Sequence, residues 1–293
     1  MEIMRNLLIL FSVLLSVSSF SQDTENEIIV LDVINEDGKI SLQNPINITN
    51  RPGYDNQPSF SEDGSALLYT SIRENDQADI YLYNFSDSTH RQITKTKESE
   101  FSPVFISNNS FSVVRVDKDS LQRMYVLNMK GKTKEQLVNH QDSIGYYKWM
   151  SDNELAIFVL PEPFELRIVR TDTNLTKVVT SKISPSIHKH PTTGKVLFVT
   201  EFEEGQWFIC EIIDIDENSF EIVPIVNVLD EDHNFIITPN GDYIVCKGSK
   251  IYKYNPATDQ GWTRIYDGSN DGYDHFYRLA ISPDMKKIAL VTK

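Results

Sequence analysis

Along most of the chain, apolar and polar residues alternate in short bursts separated by polar turns, and helical spacing is hard to find. The stretch SFSEDGSALLYTS, Ser59 to Ser71, shows the unit: apolar Phe60, the turn Ser61-Glu62-Asp63-Gly64, then the alternating run Leu68-Tyr69-Thr70-Ser71. Asp-Gly between alternating segments is a strong hairpin signal, because glycine accepts the positive φ that tight turns require. The unit recurs around Phe105, Trp149, Ile187, Ile237 and Ile281. The spacing of roughly 44 residues is the length of a four-stranded propeller blade.

Each hairpin but the last is followed by a second alternating pair, such as ADIYLYNFSDSTHRQIT or QRMYVLNMKGKTKEQLV. The sixth hairpin ends the chain at Lys293, whereas residues 26–49, NEIIVLDVINEDGKISLQNPINIT, form a second half with no first half before them. Pairing the two orphans completes a ring and leaves no open sheet edge. The predicted fold is all-β: a six-bladed β-propeller of four-stranded antiparallel blades over residues 22–293. Blades one to five run over about 50–94, 95–138, 139–180, 181–226 and 227–266. The closing blade takes its outer strands from 27–49 and its inner strands from 267–293.

The phrases QPSFSEDGSALLYTS and LAISPDMKKIALVTK, with neighbouring strands of the IYLYN type, resemble the WD-repeat-like blades of TolB-type propellers. The resemblance extends over the region after residue 21 and is strongest in the first and sixth repeats. It implies a periplasmic or secreted platform for protein–protein contact. TolB carries an α/β domain before its propeller, and related peptidases carry a catalytic domain after theirs. Here only a few residues separate Gln22 from the first strand, and the sequence stops inside the closing blade.

The first residues follow a different pattern. Arg5 precedes the apolar run Leu7–Leu15, and small and polar residues follow up to Ser21. This reads as a secretory signal peptide over 1–21, and predicts an exported protein, periplasmic or secreted. No later run approaches the length needed to span a bilayer. Cys210 and Cys246 each fall inside a strand-like run and read as separate buried side chains.

With 28 basic and 42 acidic residues the formal charge is −14. That field disfavours nucleic acid and anionic lipid and favours a neutral or basic protein or peptide partner. No nucleophile elbow, zinc-protease motif, phosphate loop or dinucleotide fingerprint is present. Candidate chemistry collects where chain enters each first strand: Tyr54 and Asp55, Glu100, Tyr146, Asp232 and His233, Tyr273 and Asp274. In a propeller these positions gather around one channel mouth, making an acidic, tyrosine-rimmed depression suited to a peptide or small polar ligand. Acids at fixed repeat positions also brace strand ends, so both roles are open. The alternative function is an enzyme acting on a carbohydrate or other small ligand with carboxylates or a metal at that mouth.

Two further segments have metal-like spacing. Asp267, Ser269 and Asp271 with Gly272 resemble the start of a calcium loop, although Arg278 stands where the bidentate Glu belongs. His188-Lys189-His190 has no neighbouring acid and reads as an exposed polar turn. Calcium at Asp267, Ser269 and Asp271 is therefore the one cofactor to test.

Overall fold

The computed structural model describes residues 25–36, 38–73, 76–138, 142–216, 219–229 and 231–293, with the side chains of 214–216 set aside. Residues 1–21, which the sequence pattern reads as a signal peptide, lie outside them. Twenty-four strands form six four-stranded antiparallel sheets arranged in a ring. The innermost strands are Tyr54–Phe60, Glu100–Ser107, Ser143–Ser151, Ile183–Lys189, Phe235–Ile237 and Phe276–Ile281, in blades one to five and the closing blade.

The closing blade has the composition expected from the repeat count. Its sheet order places Glu27–Glu36 against the C-terminal strand Lys287–Thr292, with Val30 opposite Ala289 and Ile28 opposite Val291. The ring is thus sealed by backbone hydrogen bonds between the two ends of the described chain.

Period-two alternation explains how blades cohere. Successive side chains of a strand point to opposite faces, so each blade can feed two cores. Ile28 and Val30 pack with Leu67 and Tyr69 of blade one, whereas Ile29 and Leu31 pack with Ile244 and Ile251 of blade five. Leu68 turns the other way, toward Phe111 and Val113 of blade two. In blade three, Leu155 and Ile157 face blade two while Ala156 and Phe158 face blade four. Six clusters, one between each adjacent pair of blades, replace a single central core. Cys210 and Cys246 are buried in two different clusters and form no disulfide with each other, and burial pushes Cys210 up to about 12.

The hairpin turns repeat chemically as well. Asp63 accepts from Ser61 Oγ at 2.7 Å and from Ser65 N at 3.0 Å, and Gly64 has φ +69°. Asp284 accepts from Ser282 Oγ at 2.7 Å and from Lys286 N at 3.1 Å in the same way. These Asp residues organise turns.

Candidate functional site

The innermost strands are not regular. Pairing with the second strand slips between Asn56 and Ser59, Phe101 and Val104, Ile144 and Tyr146, Ile183 and Ile187, and Phe276 and Arg278. Gln57 and Ser102 take positive φ at these bulges, +57° and +51°. An extra residue shifts every following side chain to the opposite face, so bulges re-aim what the strand presents. Here they turn Gln57, Ser102, Tyr146 and Arg278 toward the channel, where all four line a central cavity of about 600 Å3.

Blade three and the closing blade stand opposite each other in the ring, and they touch across its axis. Arg278 Nη2 donates to Tyr146 Oη at 3.1 Å, and the guanidinium carbon lies 4.9 Å from the Tyr146 ring centre. This bar divides the channel at mid-height. The positive charge of Arg278 holds the Tyr146 hydroxyl below the usual tyrosine range. Tyr54 and Tyr277 complete the surroundings of the guanidinium, and burial raises both, Tyr277 to about 12. Asn56 Nδ2 donates to Tyr277 Oη at 2.5 Å, and Gln57 Oε1 accepts from Ser102 N at 2.7 Å, lacing neighbouring blades together.

On the hairpin-turn side of the bar lies the cavity. Its wall includes Phe60, Phe105, Lys148, Ile187, His188, Ile237 and Pro283, with Glu62 at the rim. On the other side lies the entry mouth, where the first strands begin. Of the eight residues that the sequence places at the mouth, Tyr146 is the one that lines the cavity.

The others are distributed as follows. Asp55 is fully buried and ion-paired with Arg51 at 2.9 Å. Glu100 is fully buried; Oε1 accepts from Thr96 Oγ1, Oε2 has no partner, and burial raises the carboxyl to about 7. Asp232 Oδ2 accepts from His275 Nε2 at 2.5 Å, with Lys293 Nζ 3.5 Å from Oδ1, so it clasps the closing blade. His233 stacks on Trp207 at 4.1 Å, and Tyr273 packs its ring near Phe276. Asp274 is exposed and Tyr54 half-buried. Residues that sequence reasoning missed are Arg278 as the channel bar, Lys148, Tyr277 and Gln57. The signal was available three residues before each anchor, where Gln57, Ser102, Tyr146 and Arg278 align.

Sequence comparison supports the same architecture. No family model matches the chain. It is 23% identical over 193 residues to TolB, a Tol-Pal system protein of Helicobacter pylori; the match takes in 62% of this chain and 45% of that protein. The chain thus spans about half the length of the curated relatives it matches. A TolB candidate from Agrobacterium tumefaciens superposes with TM-score 0.65 at 12% identity, covering 92% of this chain and 98% of that one. The chain is a six-bladed β-propeller, similar in sequence to TolB. A gluconolactonase from Xanthomonas campestris shares the fold too, with TM-score 0.64 at 8% identity over 90% of this chain and 95% of that one.

In this propeller the two metal-like segments are engaged in other contacts. Asp267 Oδ1 accepts from Ser269 N and Oγ and caps the short 3-10 turn Gly268–Asp271. Its Oδ2 pairs with Arg264 at 2.9 Å, and Asp271 Oδ2 accepts from Tyr266 Oη at 2.7 Å. His188 is not in an exposed turn. It belongs to an innermost strand, its ring centre is 4.5 Å from that of Phe235, and burial beside the charge of Lys148 lowers it to about 3. Strand Ile183–Lys189 continues further than the HKH pattern implies, which carries His188 into the cavity wall. Among the described residues no group of three or more His, Cys, Asp or Glu is arranged to hold a metal, and no helix is long and apolar enough to cross a membrane.

Proposed function

We propose that the chain is an exported, periplasmic propeller that binds a protein segment of neutral or basic character at the entry mouth of its channel. The observation that carries this reading is the Arg278–Tyr146 bar. Tyr54 begins its strand three residues before Gln57 and its side chain reaches the surroundings of Arg278, so the bar floors a shallow dish on that side. A shallow dish with aromatic and acidic rim groups, Tyr54, Tyr273, Asp232, His233 and Asp274, fits a polypeptide better than an enclosed small substrate. The likeness to a Tol-Pal system protein and the apolar run Leu7–Leu15 agree with an envelope partner and with export. The carboxyl held nearest neutrality, Glu100, is sealed inside the wall rather than offered to a substrate.

The test is retention of envelope proteins on the immobilised propeller. Wild type should hold a discrete protein that salt releases. Asp274→Lys combined with Tyr273→Phe, which keeps the ring on Phe276, should lose most of it with the melting temperature unchanged. Equal retention by the double variant would contradict the reading.

A further inference from the structure

The cavity on the hairpin-turn side has a charge opposite to that of the whole molecule. The chain carries −14, yet the charged groups lining this cavity are Lys148 and Arg278, with Glu62 exposed at the rim. Neither cation meets a carboxylate there. Arg278 spends Nη2 on the neutral Tyr146 hydroxyl, and its buried Nε has no hydrogen-bond partner. Lys148 lies two residues beyond Tyr146 on the same side of the strand, directed into the cavity, and no described group accepts from its Nζ. Enclosing unpaired cations is unfavourable unless something supplies the missing anion.

The walls carry apolar side chains among polar ones. Phe105, Ile187, Ile237 and Ile281 come from four different blades and leave a volume in the range of small-ligand sites. The pocket therefore combines a cationic floor at the bar with apolar side chains facing it from four blades.

We propose that this cavity binds a small organic carboxylate, with its anionic head between Lys148 and Arg278 and its apolar body against Phe105, Ile187 and Ile281. The site is on the opposite side of the bar from the entry mouth and does not depend on what binds there. Burial and the like charge of Lys189 hold the Lys148 ammonium below its usual range, a penalty that a bound anion relieves. His188 is neutral at physiological pH and adds a ring to hydrogen-bond or stack, with Nε2 3.3 Å from Ser186 Oγ. A carboxylate of this kind belongs to a free fatty or aromatic acid or to the C-terminus of an apolar peptide.

Calorimetric titration of the whole protein distinguishes these cases, with octanoate, octanamide and the tripeptide Ala-Leu-Phe, free and C-terminally amidated, as probes. Octanoate should bind at least about tenfold more tightly than octanamide, and Lys148→Met should remove that difference while Lys148→Arg keeps it. The tripeptide acid binding as well as octanoate would identify a chain terminus as the natural ligand; its failing to bind would identify a free acid. The proposal is overturned if octanamide matches octanoate, if Lys148→Met binds octanoate unchanged, or if octanoate fails to bind at about 10 mM. Lys148 has no hydrogen-bond partner among the described residues to lose, so its variants should fold normally, which a melting curve checks.

Discussion

Glu100 shows what a single carboxyl does in the wall of this ring. Its side chain is fully buried, Thr96 donates to it, and burial raises its pKa to about 7 from the ordinary 4.5. The folded state therefore keeps a proton that the unfolded chain releases near 4.5. Stability contributed by the protonated form is complete below that value and is lost as pH rises through about 7. The loss is on the order of 3 kcal/mol above neutrality. Glu100→Gln, which mimics the protonated carboxyl, should be more stable than wild type at pH 8 and indistinguishable from it at pH 4, by urea denaturation. Burial holds the Asp55 carboxyl above its usual range too, but there Ser71 and Arg51 answer part of its charge. Removing it leaves the guanidinium facing a buried pocket, and Asp55→Ala should lose about 3 kcal/mol at neutral pH in the same experiment. Both residues were visible in the sequence as acids at a repeated offset. Whether such an acid faces solvent or wall depends on packing that one sequence does not display.

At the level of the strand, the hairpin and blade pattern was legible because alternation and Asp-Gly or Asn-Gly turns are local signals. The channel lining was not. A bulge adds one residue and exchanges inside for outside, and Gln57 and Ser102 adopt positive φ without any glycine to mark it. This is why Arg278 was read as an obstacle to a calcium loop rather than as a bar across the channel. The pairing of the termini was read correctly because a missing half-blade at one end matched a surplus at the other. Val30 faces Ala289 across the closing pair, so Val30→Cys with Ala289→Cys should oxidise readily and raise the denaturation midpoint, as seen by non-reducing electrophoresis and urea titration. Blade-to-blade contact also depends on Gly131, with φ +73°, where an added Cβ would lie 2.1 Å from the Ile93 carbonyl oxygen. Gly131→Ala should lower stability by at least about 1 kcal/mol, measured by the same titration.

For the whole molecule, ring closure and division of the channel turn one fold into two separate surfaces. The chain as a whole carries −14, with Asp274 exposed at the entry mouth, and the cavity behind the bar holds the cations. Association at the mouth should therefore weaken with ionic strength, whereas carboxylate binding behind the bar, buried from the salt, should change much less between low and physiological salt. The most direct measurement is site-specific photo-crosslinking in envelope preparations, with a benzophenone amino acid placed at Tyr54 or Tyr273 at the mouth and at Glu62 on the opposite rim. The account predicts that the two mouth positions capture the same protein and that Glu62 does not. Capture from Glu62 with silence at Tyr54 and Tyr273 would contradict it.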